Sequence, residues 1–492
     1  MGRCLGGLLV RTVSEVAGPY DVVFVGSGFA STFFLYRYLR YLPASARVLV
    51  LERGKLHTHA DQLEMGRTSH IHPNDTWINT GREPDKVWNF TIGFGGGSNC
   101  WWGNSVRQHP SDFKIKSTYG VGTDWPLTYD DLENYYTEAE EIMHVSGPRE
   151  EMLWPRSRPF PLPPHTLPHA DRILKEADPA HHFAATTARP SRDTGSRPKC
   201  CANGVCHLCP IDSKFTILNS FMDAYDDPRV DVLLEAEARA VDIEAGIATG
   251  VVYRHEGKDK SVKTDLVVLG ANALFNPSIL QRSGLDHQLL GRNLYDNYAV
   301  FGEAFMDGID HFQGSTVVCG MNYSKYDGAF RANHPSVLFE TWNVGTLRPD
   351  HGKWRQVLPF LLKIEDLPQE KNYVRLASVD DDLPEISYNA YSAYALTAAN
   401  RAEEIVAEIL APLPIESIKR FPYGSAGSHI HGTTMMGTDP ATSVVDAAQV
   451  HHQVRNLVVG GSGGFPSGCQ SNPTLTICAV AMRSADKLGA SA

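Results

Sequence analysis

The chain has 492 residues, 42% of them hydrophobic, and a formal net charge of −11. That length calls for two large lobes with a sizeable core, and the composition excludes wholesale disorder. The acidic balance speaks against nucleic acid and anionic membrane as partners, and no apolar run reaches membrane-spanning length.

Met1 to Val10 include Gly-Gly-Leu-Leu-Val but lack the full apolar core and cleavage site of a signal peptide, and Met1-Gly2 lacks the Ser or Thr of a myristoylation signal. A cytoplasmic protein without a lipid anchor is expected. The first regular unit is Val22-Val23-Phe24-Val25-Gly26-Ser27-Gly28, followed by a helix-like apolar segment. It spells a strand, a tight turn and a helix N-terminus. Gly26 lets the chain turn, Gly28 lets the backbone approach a pyrophosphate, and the helix start offers free N–H groups and a partial positive charge. Ser31 replaces the third glycine of the dinucleotide fingerprint and is small enough for close helix–strand packing. A second apolar run, Val48 to Leu51, ends in Glu52, near the spacing at which an acid meets a ribose hydroxyl.

His57, His59, His70 and His72 follow in a polar stretch and read as solvated loop histidines, since no carboxylate or cysteine completes a metal spacing. Residues 93–107 carry three successive glycines before Ser98 and Asn99, so that a backbone including Gly97, Ser98 and Asn99 can press against a flat ligand. Trp101 and Trp102 need burial, which rules out a loose linker. A helix is expected to run to about Met143, then proline density rises between Pro148 and Pro168 and marks an irregular excursion.

Four cysteines, Cys200, Cys201, Cys206 and Cys209, crowd one short segment. The spacing from Cys201 through Cys206 to Cys209 matches one ferredoxin type. The alternative, adopted here, is a tight cysteine-stabilised loop, reduced or holding one disulfide, with no metal. A structural helix is expected from about Ser213 to Tyr225. Strand-like runs come next, the last closing on Gly270-Ala271, where a backbone can again approach a cofactor. Aromatic-rich strands and a helix over Ala393 to Ile409 fill the region to 422. The expected organisation is a Rossmann-like α/β domain from residues 1–300 and 423–492, with an excursion over about 145–215. Residues 301–422 form a second domain, a mostly antiparallel sheet with flanking helices that shapes a substrate pocket.

The last part of the chain carries Gly427-Ser428-His429-Ile430-His431-Gly432-Thr433, Gly460-Gly461-Ser462 and Asn472-Pro473-Thr474-Leu475-Thr476. Taken with Gly26-x-Gly28, Glu52, Gly96-x-Ser98, Asp124-Trp125-Pro126-Leu127 and Gly291-Arg292-Asn293-Leu294, these motifs resemble the glucose–methanol–choline (GMC) oxidoreductases. The form of Gly460-Gly461 and Asn-Pro-Thr-Leu-Thr is similar to the pyranose 2-oxidase branch. The resemblance implies an FAD enzyme that oxidises an alcohol, with His429 as base, Asn472 as its partner, and FAD contacts from Gly461, Ser462, Pro473 and Thr474. Histidine suits the base because it titrates near neutrality, whereas the hydride needs the flavin. His431 is the rival base, expected to pack behind His429. Pro473 suits a first helical turn whose N-terminus stabilises negative charge on a reduced ring.

Two departures from the family pattern bear on chemistry. Cys100 or Asn99 stands where pyranose 2-oxidases carry a flavin-linked histidine, so FAD is expected to be non-covalent. The cysteine segment is similar to that of membrane-coupled sugar dehydrogenases with an iron–sulfur cluster, but its last spacing is one residue shorter. Within the family, the resemblance extends to oxidases of aminoglycoside precursors such as paromamine, enzymes of antibiotic biosynthesis, and the acidic balance fits a polycationic sugar-like substrate. A dehydrogenase of a neutral pyranose or glycoside, passing electrons to a quinone or protein, is the alternative.

Overall fold

The computed structural model describes residues 10–83, 86–421 and 427–490. The expectations for residues 1–9, and the return to the first domain between 422 and 423, lie outside the described residues. Strand β1 (Tyr20–Val25) runs parallel to β2 (Val48–Leu51) on one side and to the strand Lys258–Leu269 on the other. Val230–Leu233 continues this sheet beyond β2, and Val454–Val459 continues it on the far side. Residues 22–25, 48–51, 266–269 and 457–459, the segments that pair side by side, are uninterrupted apolar runs because both faces of a parallel sheet are covered there. All four residues of β2 are buried. Helix α1 (Phe29–Tyr38) packs against the final helix, Thr474–Gly489.

The β1–α1 turn depends on two glycines. Gly26 has φ +84°, in the left-handed region, and a Cβ there would lie 2.8 Å from the Gly270 carbonyl oxygen. A Cβ on Gly270 would run into the Ser31 side chain. Ser31 is thus the close-packing residue of the crossing, and its hydroxyl donates to the Val25 carbonyl at 3.4 Å.

A second, six-stranded sheet is antiparallel throughout, in the order Ile415–Arg420, Tyr298–Met306, Val357–Ile364, Val337–Trp342, Val318–Asn322 and His182–Ala184. One face packs on the helices Ala393–Ala399 and Ala402–Leu410 through Val300, Phe339, Phe360, Leu362 and Ile405. The register pairs Phe301 with Leu361 and Leu361 with Glu340, and pairs Leu338 with Lys363. Directly opposed residues share a face. Phe301, Leu361, Lys363, Glu340 and Trp342 therefore point together to the other side, away from the helices.

The excursion is not wholly irregular, since its His182–Ala184 pairs with Val318–Asn322 in that sheet. The helix read over 393–409 is two helices, broken at Asn400 and Arg401. The helix expected over 213–225 shrinks to the single turn Ile217–Ser220, because the chain leaves it at Phe221 with φ −143°. Among the described residues no helix is long and apolar enough to cross a membrane.

Candidate active site

A cavity of about 800 Å³ lies between the turn of the first domain and the bare face of the second sheet. Gly26 and Gly28 line it from the β1–α1 turn, Glu52 from the end of β2, and Gly97, Gly270 and Ala271 from the neighbouring loops. Gly461, Ser462, Pro473 and Thr474 line it near the start of the final helix. Ser31, Ser98 and Asn99 do not. The Ser98 hydroxyl donates to the Gly95 carbonyl at 2.7 Å and accepts from the Ile217 N–H at 3.2 Å. Asn99 donates to the Phe94 carbonyl at 2.9 Å and accepts from Gln62 at 3.3 Å. These two side chains hold the shape of the glycine loop rather than face the cavity.

Glu52 accepts from the Ser27 hydroxyl (2.6 Å), the Ser27 N–H (3.1 Å) and the Gly54 N–H (2.9 Å). Burial raises its pKa, and these three donors oppose the rise. The carboxylate therefore braces the turn on which a cofactor would rest. A pocket edge of small residues, a bare helix N-terminus and a braced acid fit the pyrophosphate and ribose of FAD. So does Asn297, a buried cavity residue with neither amide atom partnered.

At the other end His429 and Asn472 meet. His429 is 5% exposed. Its backbone N–H donates to Asp296 at 3.2 Å, and Asp296 is held in turn by the Lys86 ammonium at 2.8 Å. Its Nδ1 lies 2.6 Å from the Cys469 carbonyl oxygen, which can only accept, so Nδ1 carries the proton. Nε2 is then the bare nitrogen, and it accepts from Asn472 Nδ2 at 3.2 Å. Burial, followed by the Lys363 charge, pushes the pKa of His429 down to about 4, which keeps the imidazole neutral at physiological pH.

His431 is fully buried behind this pair, with ring centroids 6.5 Å apart, and it does not line the cavity. Its Nδ1 lies 3.3 Å from the Tyr295 hydroxyl. Burial holds its pKa well below the ordinary value. A neutral base whose lone pair meets an amide donor at the cavity wall can take a proton from a hydroxyl that enters between the two, and the amide can hold the oxygen left behind.

Matches to family models for GMC oxidoreductases cover residues 172–299 and 368–481. The chain belongs to the GMC oxidoreductase family. Over 95% of its length it is 26% identical to the fructose dehydrogenase large subunit of Gluconobacter japonicus, covering 97% of that protein. It is equally 26% identical to 6'''-hydroxyparomomycin C oxidase of Streptomyces lividus, over 94% of this chain and 90% of the other. The fold is similar to that of pyridoxine 4-oxidase from Mesorbium loti, with a TM-score of 0.69, 18% identity and coverage of 95% and 99% of the two chains. This GMC oxidoreductase is thus an FAD enzyme acting on an alcohol, and its cavity supplies the matching parts.

Besides Asn297 at the cofactor end, reading the sequence missed Lys363 and Glu340 in this GMC oxidoreductase's cavity. Lys363 Nζ donates to Asn472 Oδ1 at 2.5 Å and to Glu340 Oε1 at 2.5 Å. Glu340 also accepts from Asn104 (3.2 Å) and from the Trp342 indole (3.1 Å). The available signal was a lysine and a glutamate inside otherwise apolar strands. The cysteine segment divides: Cys206 is buried, Cys200 and Cys209 are half-buried and Cys201 is exposed, all as free thiols. Among the described residues no three His, Cys, Asp or Glu side chains converge as metal ligands. His57 Nε2 meets His70 Nδ1 at 3.0 Å, His59 lies 2.6 Å from the Cys209 carbonyl and His72 Nδ1 accepts from the Asn74 N–H at 3.2 Å, so all four loop histidines have protein partners.

Proposed function

We propose that the protein oxidises an alcohol group of a sugar-like substrate, with His429 Nε2 as the base and Asn472 as the clamp on the substrate oxygen. The observation that carries this reading is the hydrogen-bond polarity at His429. With Nδ1–H committed to Cys469, a substrate hydroxyl entering between His429 and Asn472 gives its proton to Nε2 and accepts from Nδ2. Bound FAD supplies the hydride acceptor that no side chain can provide. Trp102 and Trp342, ring centroids 5.1 Å apart, wall the cavity beside the Lys363–Glu340 pair. Aromatic faces next to paired polar groups suit the C–H faces and hydroxyls of a sugar.

The substrate we favour is an aminoglycoside precursor such as paromamine, oxidised at its 6'-hydroxyl. The −11 charge and the similarity to an oxidase of a hydroxyparomomycin support it. The similarity to a fructose dehydrogenase along nearly the whole of both chains supports the second reading, a neutral pyranose with a quinone or protein as electron acceptor. An anaerobic screen for flavin bleaching over aminoglycosides and neutral sugars separates the two. Oxygen uptake with hydrogen peroxide release then identifies the acceptor. Bleaching by no alcohol in the panel would overturn the proposed activity.

FAD is proposed to be non-covalent. Cys100 or Asn99 stands where a histidine tether would, and burial pushes the Cys100 thiol up in pKa and so away from the reactive thiolate. Denaturation and filtration should release all the flavin; flavin remaining on the polypeptide would contradict this.

A further inference from the structure

We propose that Lys363, anchored by Glu340, is a positioning residue that sets the orientation of the Asn472 carboxamide and keeps His429 ready as a base. The inference rests on the proposed roles of His429 and Asn472 and goes beyond them. Its basis is one chain of hydrogen bonds whose direction is fixed at both ends. The Cys469 carbonyl accepts only, so His429 must donate from Nδ1 and accept at Nε2. The Lys363 ammonium donates only, so the atom it meets on Asn472 must be the oxygen, and Nδ2 is left facing Nε2.

Reversing the amide would set two acceptors, Oδ1 and Nε2, against each other and bring two donors, Nζ and Nδ2, together. It would also offer an incoming hydroxyl a second acceptor that competes with His429 for the proton. Lys363 thus selects the orientation in which Asn472 donates to the substrate oxygen. Glu340 fixes Lys363 in turn, itself held by Asn104 and Trp342. The pair is buried, with side-chain exposures of 3% and 2%. Such a pair is a weak stabiliser of folding, and its placement beside a reacting group fits a role in orientation.

The ammonium also acts through space. The charged and titratable groups around His429 are Lys363, Asp296, Glu340 and His431. Lys363 opposes protonation of the imidazole, while Asp296, paired with Lys86, and Glu340 favour it; of these three charges Lys363 has the largest effect.

The test uses FAD-loaded enzyme with 15N-labelled histidines, the His429 signal being assigned by its loss in His429→Gln. In Lys363→Met/Glu340→Gln, which removes both charges and leaves no unpaired carboxylate, the titration midpoint of His429 should rise, because the lost Lys363 charge outweighs the opposing Glu340 charge. Lys363→Arg, which keeps the charge and the donors, should stay near the parent value. With the best reductant from the alcohol panel, flavin reduction at saturating substrate should fall at least tenfold in the double variant and recover partly in Lys363→Arg. If the double variant does not retain FAD, Lys363→Gln, a neutral donor of similar reach, should show the same upward midpoint. An unchanged midpoint in the neutral variants, or equal loss of rate in Lys363→Arg, would overturn the proposal. If no alcohol reduces the parent enzyme, the proposed activity fails, while the titration still decides the role of Lys363.

Discussion

His429 makes its chemistry depend on pH in a defined direction. Its ordinary value is near 6.5, and in the folded chain it is pushed down to about 4, first by burial and then by Lys363. His429, the proposed base, is therefore neutral over the range above pH 5. The rate of flavin reduction should be flat from about pH 8 to pH 5 and fall below that, as Nε2 takes a proton. Stopped-flow reduction across this range checks it, and a fall centred near pH 6.5 would contradict it. The same shift has a sign for stability. Between pH 6.5 and 4 the unfolded chain binds this proton and the folded chain does not, so the contribution of His429 to stability is lost as the pH drops through that window.

Residues that carry local patterns were legible in the sequence. Gly26, Gly28 and Glu52 follow from a strand, a turn and a second strand within one short unit, and His429 and Asn472 stand in recognisable strings. Lys363 and Glu340 were not legible, because they meet only through the register of two antiparallel strands, Leu338 against Lys363 and Glu340 against Leu361. Nothing near either residue in sequence announces the other. Ser98 and Asn99 were misleading for a related reason. They belong to the right loop, but their side chains are spent on Gly95, Ile217, Phe94 and Gln62 within the protein.

At the scale of elements, the crossing of β1, α1 and the strand Lys258–Leu269 leaves no room at Gly270, where a Cβ would overlap the Ser31 side chain. Gly270→Ala should cost about 1–3 kcal/mol through overpacking and displace the turn that lines the cavity. The expected result is a lower thermal midpoint together with reduced flavin content after purification. Full flavin content with unchanged unfolding would show that the crossing is looser than its geometry says. Parallel strands buried on both faces announce themselves as long apolar runs, which is why this crossing was readable. The break between Ala399 and Ala402 was not, since the alanine-rich helical pattern continues across it.

At the scale of the molecule, the segment 469–472 is tied to several distant parts of the chain at once. Cys469 receives the Asp366 N–H at 3.1 Å, Gln470 donates to Asp112 at 3.0 Å, and Ser471 meets Tyr326 in a short hydroxyl contact. Behind them Arg331, fully buried, holds both Asp112 and Glu365 at 2.9 Å. Burial already pushes Glu365 up to about 6. Arg331→Met would leave two buried carboxylates without their cation, at a cost of about 3–5 kcal/mol. Chemical unfolding should show that loss; a variant as stable as the parent would remove this network from the account of how Asn472 is held.

The central claim is that His429 Nε2 takes the substrate proton while the rest of the cavity holds the flavin. Its most direct test is anaerobic reduction of the bound flavin in His429→Ala by the alcohol that reduces the parent enzyme. His429→Ala should keep its full FAD content and reduce it about 10²–10⁴-fold more slowly. Reduction at a near-parental rate in a variant that retains its flavin would contradict it.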